Sequence, residues 1–438
     1  MNALRAVRRN TELGLIVLGT LITVGAYLLA SLAEDATIPA NLGAFLAIVL
    51  GLQLAAHLAI RRLAPDADGT LVPIAGLLNG LGYVFIVRID EAKVDPQGLA
   101  GLQSGWIGIG IAAFIGTLLF VRRVRDLERY RWTIGMAGIV LLLLPLVPGV
   151  GKTINGAKIW VGIGPISFQP GEFAKILLAL FFASYLVEKR ELLAVSSHRV
   201  GPIPLPDLKH LGPVLLAWGV SLVVMVSEKD LGSSLLFFAL FVALLWVSTE
   251  RATYLVVGLA LFAAGAVFAH SQFTHVQERV DIWLDPWEDP KDDGFQIVES
   301  SFAFSAGGVT GTGINLGSPT RIPYAETDFI FAAIGEELGL VGATGVLVAY
   351  LLMIGAGLRI ALRTELPFER LLATGLTVLI GVQSFIIMAG VIRVLPLTGV
   401  TLPFVSYGGS SLIANYILLA LLLRISDDTV HREEERAR

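Results

Sequence analysis

The sequence predicts an all-α polytopic membrane protein, and two observations support this prediction. The chain is 55% apolar and only 16% charged, with a mean hydropathy of +0.75, whereas charged residues make up about a quarter of a typical soluble domain. Its apolar runs also continue for about 17 to 25 residues without the alternation expected of a barrel strand. Because every backbone polar group must be paired inside a bilayer, such runs are expected to form helices.

About twelve apolar runs are long enough to span a bilayer. The first follows Arg5, Arg8 and Arg9, and it is longer than the apolar core of a secretory signal peptide, which favours a signal anchor and first span. The predicted spans lie at roughly 13–29, 41–60, 70–87, 104–121, 132–149, 171–187, 211–226, 231–248, 252–270, 329–357, 371–392 and 404–423.

The distribution of Lys and Arg predicts the orientation of these spans. With a cytoplasmic N-terminus, the cytoplasmic connections and both tails contain roughly 22 Lys and Arg residues, against about 9 on the other side. Both termini are therefore predicted to be cytoplasmic. The longest polar segment, 273–327 between the ninth and tenth spans, is then extracytoplasmic, as is a shorter loop at 148–170.

Cysteine is absent, which excludes disulfides, thiol nucleophiles and cysteine-ligated metal sites.

The predicted spans and loops divide the chain into five regions. These are spans one to four at 1–121, spans five to nine at 122–272, the extracytoplasmic loop at 273–327, spans ten to twelve at 328–424 and a cytoplasmic tail at 425–438.

The 273–327 segment contains the densest group of chemically active side chains. Within 281–293, six carboxylates are interleaved with Trp283, Trp287 and two prolines. The prolines of DPWEDP fix two corners beside Asp289, and a carboxylate held beside an apolar surface is suited to act as a general base with a raised pKa. The alternative is a solvated acidic loop whose Trp residues anchor at the membrane interface.

Five glycines follow this acidic group, at 307, 308, 311, 313 and 317. We interpret them as positions where the backbone approaches a ligand closely. Neither a phosphate-binding loop motif nor a dinucleotide fingerprint is present. Zinc-hydrolase and serine-esterase motifs are also absent from the sequence.

Further ionisable groups lie at or near membrane depth. Glu172 and Lys175 are three residues apart at the start of the sixth span, so they share a helix face. An ionisable residue inside a membrane indicates a functional site by default. A packing pair between two helices explains Glu172 and Lys175 equally well.

The last three spans also begin or end with polar groups. Asp328 and Glu336 open the tenth span, and their spacing of eight places them near one helix face. Arg393 and the run SYGGSS at 406–411 flank the eleventh and twelfth spans. Small residues in that run also allow close helix packing.

Five segments of the chain form a recognisable series: FQPGEFAK at 168–175, EKDLGSSLLF at 228–237, RVDIWLDPWEDPKDDGFQIVES at 279–300, TDFIFAAIGEELG at 327–339 and LPLTGVTLPFVSYGGSSL at 395–412. In this order they resemble the motifs of the SEDS family (shape, elongation, division and sporulation proteins, the RodA/FtsW/SpoVE group). The resemblance covers roughly residues 130–424. The two spans at the N-terminus are similar to the extension of twelve-span, RodA-like members.

This resemblance implies a peptidoglycan glycosyltransferase of the bacterial cell membrane that polymerises lipid II into glycan strands during cell-wall elongation. It implies a class B penicillin-binding protein (a transpeptidase) and other elongation or division machinery as partners, and no nucleic acid. The family's essential aspartate falls on Asp289. There it would accept the proton of the acceptor hydroxyl as this attacks the donor sugar.

The resemblance further implies a polyprenyl-pyrophosphate leaving group, whose charge needs cations or a metal ion. A divalent cation, Mg²⁺ or Mn²⁺, is the candidate cofactor, with Asp289 and Asp285 as candidate ligands, and no organic cofactor is expected. Two positions depart from the family pattern: Lys229 replaces a frequent proline, and Glu326 a frequent histidine. The candidate substrate-binding residues are Trp287, Lys175, Glu172, Lys229, Arg279, Asp328, Glu336, Arg393 and Ser410.

Two other functions compete with this one. A lipid II flippase is also a helical bundle with charged groups at membrane depth, but a carrier is expected to concentrate them near the midplane rather than in one outer loop. A scaffold that recruits a transpeptidase would need its span surfaces and not its loop carboxylates.

Overall fold

The computed structural model describes residues 2–35, 42–154, 157–163, 166–194, 198–200, 203–205, 219 and 230–436. A helix lies at every predicted span except the seventh, 211–226, which lies outside the described residues apart from residue 219. The α-helices of the described chain are α1 Asn2–Asp35, α2 Leu42–Leu63, α3 Leu71–Glu91, α4 Leu99–Phe120, α5 Arg131–Leu143, α6 Pro170–Ala194, α7 Leu231–Thr249, α8 Thr253–Gln272, α9 Thr274–Leu284, α10 Phe295–Gly307, α11 Ile330–Arg363, α12 Pro367–Val391 and α13 Gly409–Arg436.

Ten helical stretches of the described chain are long and apolar enough to cross a membrane. The prediction of an all-α polytopic architecture is therefore confirmed, and the number twelve stays a prediction. The last span continues without a break, because α13 extends through most of the predicted tail to Arg436.

The two predicted outer loops contain regular structure of their own. The 273–327 segment includes α9, α10 and a short 3₁₀ helix, Pro319–Arg321. The loop at 148–170 contains an antiparallel sheet of β1 Gly151–Ile154, β2 Ala157–Ile163 and β3 Ile166–Phe168, with Val161 paired to Gly151 and to Phe168. A two-stranded ribbon, β4 His198–Val200 and β5 Ile203–Leu205, follows α6.

The chain forms two compact units. The first comprises Met1–Arg122, Asp281–Ala356 and Gln383–Arg438, and the second comprises Arg123–Val280 and Gly357–Val382. In the first unit α4 packs on α13 and α1 packs on α3. Glycines permit these close contacts: a Cβ at Gly80 would lie 2.3 Å from Thr23 Oγ1, and one at Gly110 would lie 2.6 Å from the Tyr416 ring.

The second unit is built on α5, α6, α7 and α8, which contact one another in chain order. A Cβ at Gly135 would lie 2.7 Å from the Phe181 ring, so only a glycine lets α5 approach α6 this closely. The rings of Trp132 and Tyr185 pack at a tilt against the same Phe181 ring, with centroids within 6 Å. Aromatic packing of this kind stabilises helix contacts beyond the area that it buries.

A polar network in the first unit joins both ends of the chain to the α2–α3 connection. Arg5 Nη2 lies 2.5 Å from Asp66 Oδ2, and the Asp66 amide donates to Asp427 Oδ1 at 2.7 Å. Arg424 Nη1 donates to the carbonyl of Leu63 at 2.6 Å. We call these residues the terminal network. They fix α1 and α13 to the same short connection.

Candidate active site

Asp289 lies on a compact turn between α9 and α10. The amide of Gly294 donates to the Asp289 carbonyl at 2.9 Å, which closes the turn. A Cβ at Gly294 would lie 2.1 Å from the Pro286 carbonyl oxygen, so a larger residue does not fit. At its start, Asp285 Oδ1 accepts the Trp287 amide at 3.1 Å. The prediction that the DPWEDP prolines accompany a fixed backbone agrees with these contacts.

The Asp289 side chain points into open space. It is exposed, and its carboxylate makes no hydrogen bond or ion pair with any residue in the described part of the chain. The exposure does not provide the apolar surroundings that the sequence analysis expected around this group. What the turn provides is a carboxylate on a fixed backbone that a ligand can reach.

Trp287 extends the surface beside Asp289. Its ring is half exposed, and it contacts the ring of Phe302 on α10 edge-to-face, with centroids 5.8 Å apart. The exposed half of the side chain is accessible to a ligand. Aromatic faces of this kind pack well against sugar rings or lipid chains because both present apolar C–H surface.

Arg393 binds the end of α9, immediately before the turn. Its Nε donates to the Trp283 carbonyl at 2.9 Å and its Nη2 donates to the Leu284 carbonyl at 2.8 Å. The indole N–H of Trp283 donates back to the Arg393 carbonyl at 3.2 Å. Two of the guanidinium N–H groups are thus committed to backbone. Arg393 is predicted from the sequence as a substrate-binding cation, and these hydrogen bonds to the α9 backbone were not predicted.

A second group of predicted site residues lies in the other compact unit. Lys175 Nζ lies 2.5 Å from Glu172 Oε2, and both side chains are buried. The predicted pairing on one helix face is therefore present. Asp230 caps the N-terminus of α7, accepting from the Ser233 amide at 3.0 Å and from its hydroxyl at 2.6 Å. Lys229 lies outside the described residues.

The electrostatics of this second group centre on Asp230. Burial raises the pKa of the Asp230 carboxyl, and the charge of Glu172 raises it further. The hydrogen bonds from Ser233 and the charge of Arg279 lower the pKa, but burial has the larger effect. Leu142, Ile159 and Gln169 line a small pocket together with Asp230. In the sequence, Asp230 is distinguished only as part of the EKDLGSSLLF segment at 228–237.

Glu336 and its neighbour Glu337 attach the 273–327 segment to α11. Glu336 Oε1 accepts the Ser318 amide at 2.8 Å, and Glu337 Oε2 accepts the Asn315 amide at 3.0 Å. Glu337 also forms a buried ion pair with Arg88, with 2.6 Å between Oε1 and Nε. Arg88 is not among the residues predicted from the sequence. Its position one turn before the end of a span was the available signal, since a buried cation needs a partner.

The glycines of the 273–327 segment serve the same attachment. A Cβ at Gly307 would lie 2.0 Å from the Gly335 carbonyl oxygen, and one at Gly311 would lie 2.2 Å from the Glu337 carbonyl oxygen. Gly339 interrupts α11 with a φ of 64° and meets the Gly311 amide. These glycines bring backbone to backbone within the protein. The interpretation that they approach a ligand finds no support at Gly307 and Gly311.

The remaining predicted residues lie around the start of α13. Asp328 lies just before the first residue of α11 and is half-buried, and Ser410 is buried in the first turn of α13. Glu326, at the position where the family often has histidine, pairs with Lys93 at 2.6 Å. Gly409 lies against the Trp106 ring, where a Cβ would be 2.3 Å away. The small residues of the 406–411 run therefore allow close packing, as the sequence analysis considered.

Carboxylate and imidazole side chains that could hold a metal ion converge at one place in the described residues. Asp66, Asp427 and His431 have ligand atoms within 4.8 Å of one another. Arg5 and Arg424 already pair with this group. The candidate ligands Asp285 and Asp289 form no such group of three with other described residues.

The spans and the reachable carboxylate on the 285–294 turn define a multi-pass membrane protein with a candidate active site outside its apolar spans. The sequence model of the FtsW/RodA/SpoVE group, described as cell cycle proteins, matches residues 69–431. This chain belongs to that family, as its motifs indicated. Helices α1 and α2 precede the matched region.

Individual relatives are similar over almost the whole chain. Peptidoglycan glycosyltransferase RodA of Mycobacterium tuberculosis is 46% identical over 424 residues, which cover 96% of this chain and 90% of that protein. The RodA enzyme of Mycobacterium leprae is 44% identical over 428 residues, which cover 97% and 91%. A solved chain from a peptidoglycan synthase complex, in which polymerization and crosslinking are coordinated, has a TM-score of 0.69 and 30% identity, covering 83% of this chain and 98% of its own. The chain is therefore a RodA-like member of the family.

Proposed function

We propose that this chain is a peptidoglycan glycosyltransferase that polymerises lipid II, with Asp289 as the general base. The reaction class is supported by relatives of that name that are similar along nearly the full chain. The assignment of the base rests on one observation. Asp289 presents an exposed carboxylate, free of partners among the described residues, on a turn closed by the hydrogen bond from Gly294 to its carbonyl.

In the proposed reaction, a hydroxyl oxygen of the acceptor sugar attacks the anomeric carbon of the donor. The bond from that carbon to the pyrophosphate oxygen breaks, and polyprenyl pyrophosphate leaves with the electron pair. Asp289 accepts the hydroxyl proton as the glycosidic bond forms. Attack opposite the leaving group inverts the configuration of the anomeric carbon. Trp287 offers an aromatic surface next to the base for the sugar or the lipid.

The leaving pyrophosphate needs positive charge nearby. Lys175 and Arg279 are the proposed sources from their places in the sequence, and Lys175 is paired with Glu172. Lys229 is proposed with them from its place in the sequence. The other cations predicted on the same side of the membrane are Lys152, Lys158, Lys291 and Arg321.

A divalent cation is proposed at the Asp289 turn. Mg²⁺ is commonly held by one or two carboxylates together with substrate phosphates and water. Asp285 and Asp289 fit that limited donor set, because both are exposed and lie on the same turn. A bound cation would offset the charge of the pyrophosphate.

We also propose a class B penicillin-binding protein as the partner and a topology in which both termini are cytoplasmic. Similarity to a chain of a peptidoglycan synthase complex supports the partner. The Lys and Arg distribution supports the topology. In this orientation the 273–327 segment meets lipid II on the outer face of the membrane.

The test uses the purified protein with its penicillin-binding partner, with the transpeptidase blocked by a β-lactam. Labelled lipid II is supplied, and polymer is compared between wild type, Asp289→Asn and a matched control, Asp293→Asn. Asp293 is exposed on the same turn, so its variant removes the same charge from a neighbouring position. We expect polymer from wild type and Asp293→Asn and a loss of at least about a hundredfold in Asp289→Asn.

Other results of the polymerisation assay would change the assignment. Normal polymer from Asp289→Asn would reject the base while retaining the enzyme. An absence of polymer from wild type, together with movement of lipid II across vesicles, would replace the enzyme by a flippase. Parallel reactions with EDTA and with added Mg²⁺ or Mn²⁺ test the metal, since rate loss reversed by either ion is expected only if a cation takes part.

A further inference from the structure

One short segment, 391–394 at the end of α12, contacts both helices that flank the Asp289 turn. On the α9 side, the guanidinium of Arg393 donates to the carbonyls of Trp283 and Leu284. On the α10 side, Ser300 Oγ donates to the Val391 carbonyl at 3.1 Å. All of these residues belong to the first compact unit. The turn is therefore held at its start and at its end by the same segment.

The contact with α9 is suited to its position. The last carbonyls of a helix have no partner within the helix, and a cation near a helix C-terminus is favoured by the helix dipole. Arg393 provides both a positive charge and two N–H groups in a fixed plane. The N–H of the Trp283 indole returns a hydrogen bond to the Arg393 carbonyl. The side chains of Arg393 and Trp283 thus each donate a hydrogen bond to the backbone carbonyl of the other residue.

The backbone of Arg393 is itself unusual. Its φ is 63°, a left-handed conformation that is unfavourable for a residue with a side chain and that glycine adopts readily. The Arg393 amide donates to the Gly390 carbonyl at 3.1 Å, and the Val394 amide donates to Ala389 at 2.7 Å. An arginine at a position that favours glycine indicates that its side chain contributes something that glycine lacks. The two bonds to α9 are that contribution.

We propose that Arg393 is a positioning residue: its guanidinium fixes the end of α9 and thereby the place of the Asp289 carboxylate, rather than binding the pyrophosphate. This proposal rests on the proposed function, in which Asp289 is the base. A catalytic carboxylate displaced by about 1 Å loses a large part of its effect on the reaction rate. Removing the Arg393 side chain is therefore expected to lower kcat and to leave KM for lipid II nearly unchanged.

Four variants test this in the polymerisation assay. Arg393→Gly removes the guanidinium and suits the backbone conformation, so the fold is retained. Arg393→Lys keeps the charge but not the planar pair of donors, and Trp283→Phe removes only the indole N–H. Val394→Ala is the matched control, because its side chain is exposed on the same segment. We expect kcat to fall about ten- to a hundredfold in Arg393→Gly, less in Arg393→Lys and Trp283→Phe, and not at all in Val394→Ala.

A second comparison separates positioning from substrate binding. Arg393→Gly is also made in the Asp289→Asn background, where we expect no further loss because the group being positioned is already absent. A large rise in KM with constant kcat, or an additional loss in the Asp289→Asn background, would overturn the positioning role. So would full activity of both Arg393→Gly and Trp283→Phe. Full activity of Asp289→Asn would instead reject the proposed base, which distinguishes the two failures.

Discussion

Arg88 and Glu337 form a buried ion pair in which Nε and Oε1 are 2.6 Å apart. Arg88 Nη2 also donates to the Gly317 carbonyl at 2.9 Å, and Glu337 accepts the Asn315 amide. The pair therefore connects α3, α11 and the end of the 273–327 segment. Both charges are compensated by each other and by backbone groups, as a low-dielectric environment requires.

Replacing Arg88 by methionine is expected to destabilise the protein. The substitution leaves the Glu337 carboxylate buried without its counter-charge, which costs about 3 to 5 kcal/mol. The measurement is the thermal unfolding temperature in detergent. Lys93→Met is the control: its pair with Glu326 has the same N–O distance, but Lys93 is partly exposed, so its loss is expected to cost about 1 kcal/mol or less. Equal effects of the two substitutions would contradict this account.

Gly311→Ala is expected to loosen the 273–327 segment from α11. The new Cβ would lie 2.2 Å from the Glu337 carbonyl oxygen, and the glycine has a φ of 85°. Overpacking of this kind costs about 1 to 3 kcal/mol. Gly345→Ala is the control, because nothing lies within 4 Å of its Cβ position on α11. Limited proteolysis of the segment should accelerate in the first variant only; unchanged proteolysis of Gly311→Ala would refute the packing role.

The Asp230 carboxyl is expected to make stability depend on pH. Burial raises its pKa above the ordinary value of 3.8, so the folded state binds this proton more tightly than the unfolded state. The resulting stability is fully present below about pH 4 and is lost as the pH rises through the folded-state pKa. Asp230→Asn retains an acceptor for the Ser233 amide and removes the titration. Unfolding temperatures of the two proteins should diverge as the pH rises, with the wild type losing stability; parallel curves would show that Asp230 does not titrate in this way.

Trp287 is expected to act through its ring. Its edge-to-face contact with Phe302 is retained by phenylalanine and lost in alanine, and such contacts contribute about 0.5 to 1.5 kcal/mol. Trp287→Ala should therefore lower the initial rate of polymerisation several-fold, whereas Trp287→Phe should stay near wild type. Phe302→Leu removes the other ring of this contact. Wild-type rates for both Trp287 variants would mean that the ring does not take part.

The sequence predicted the helical architecture well because spanning helices are specified by local composition. Apolar runs marked α3 and α12 without any knowledge of their neighbours. The pairing of Glu172 with Lys175 was also accessible, since a spacing of three on one helix fixes it. The position of Asp289 on a turn followed from the prolines beside it.

Contacts between distant segments were not accessible in this way. Arg88 and Glu337 lie on different helices, and no spacing rule connects them. Gly311 was interpreted as a ligand contact because a glycine signals close approach without naming what approaches. The sheet at 148–170 was missed although its sequence had a signal: Asn-Gly between two alternating runs in KTINGAKIW is typical of a hairpin. Helices α9 and α10 were missed because they are short and lie in a polar segment.

The terminal network has a consequence for how the protein is made. Asp66 is hydrogen-bonded to Asp427, and Leu63 is hydrogen-bonded to Arg424. In both pairs the second residue lies 361 positions later in the chain. The first two helices therefore leave the ribosome and enter the membrane long before these bonds can form. These hydrogen bonds form only after α13 has been synthesised. In a chain that stops before residue 424, the Asp66 amide and the Leu63 carbonyl at the α2–α3 connection therefore lack these partners.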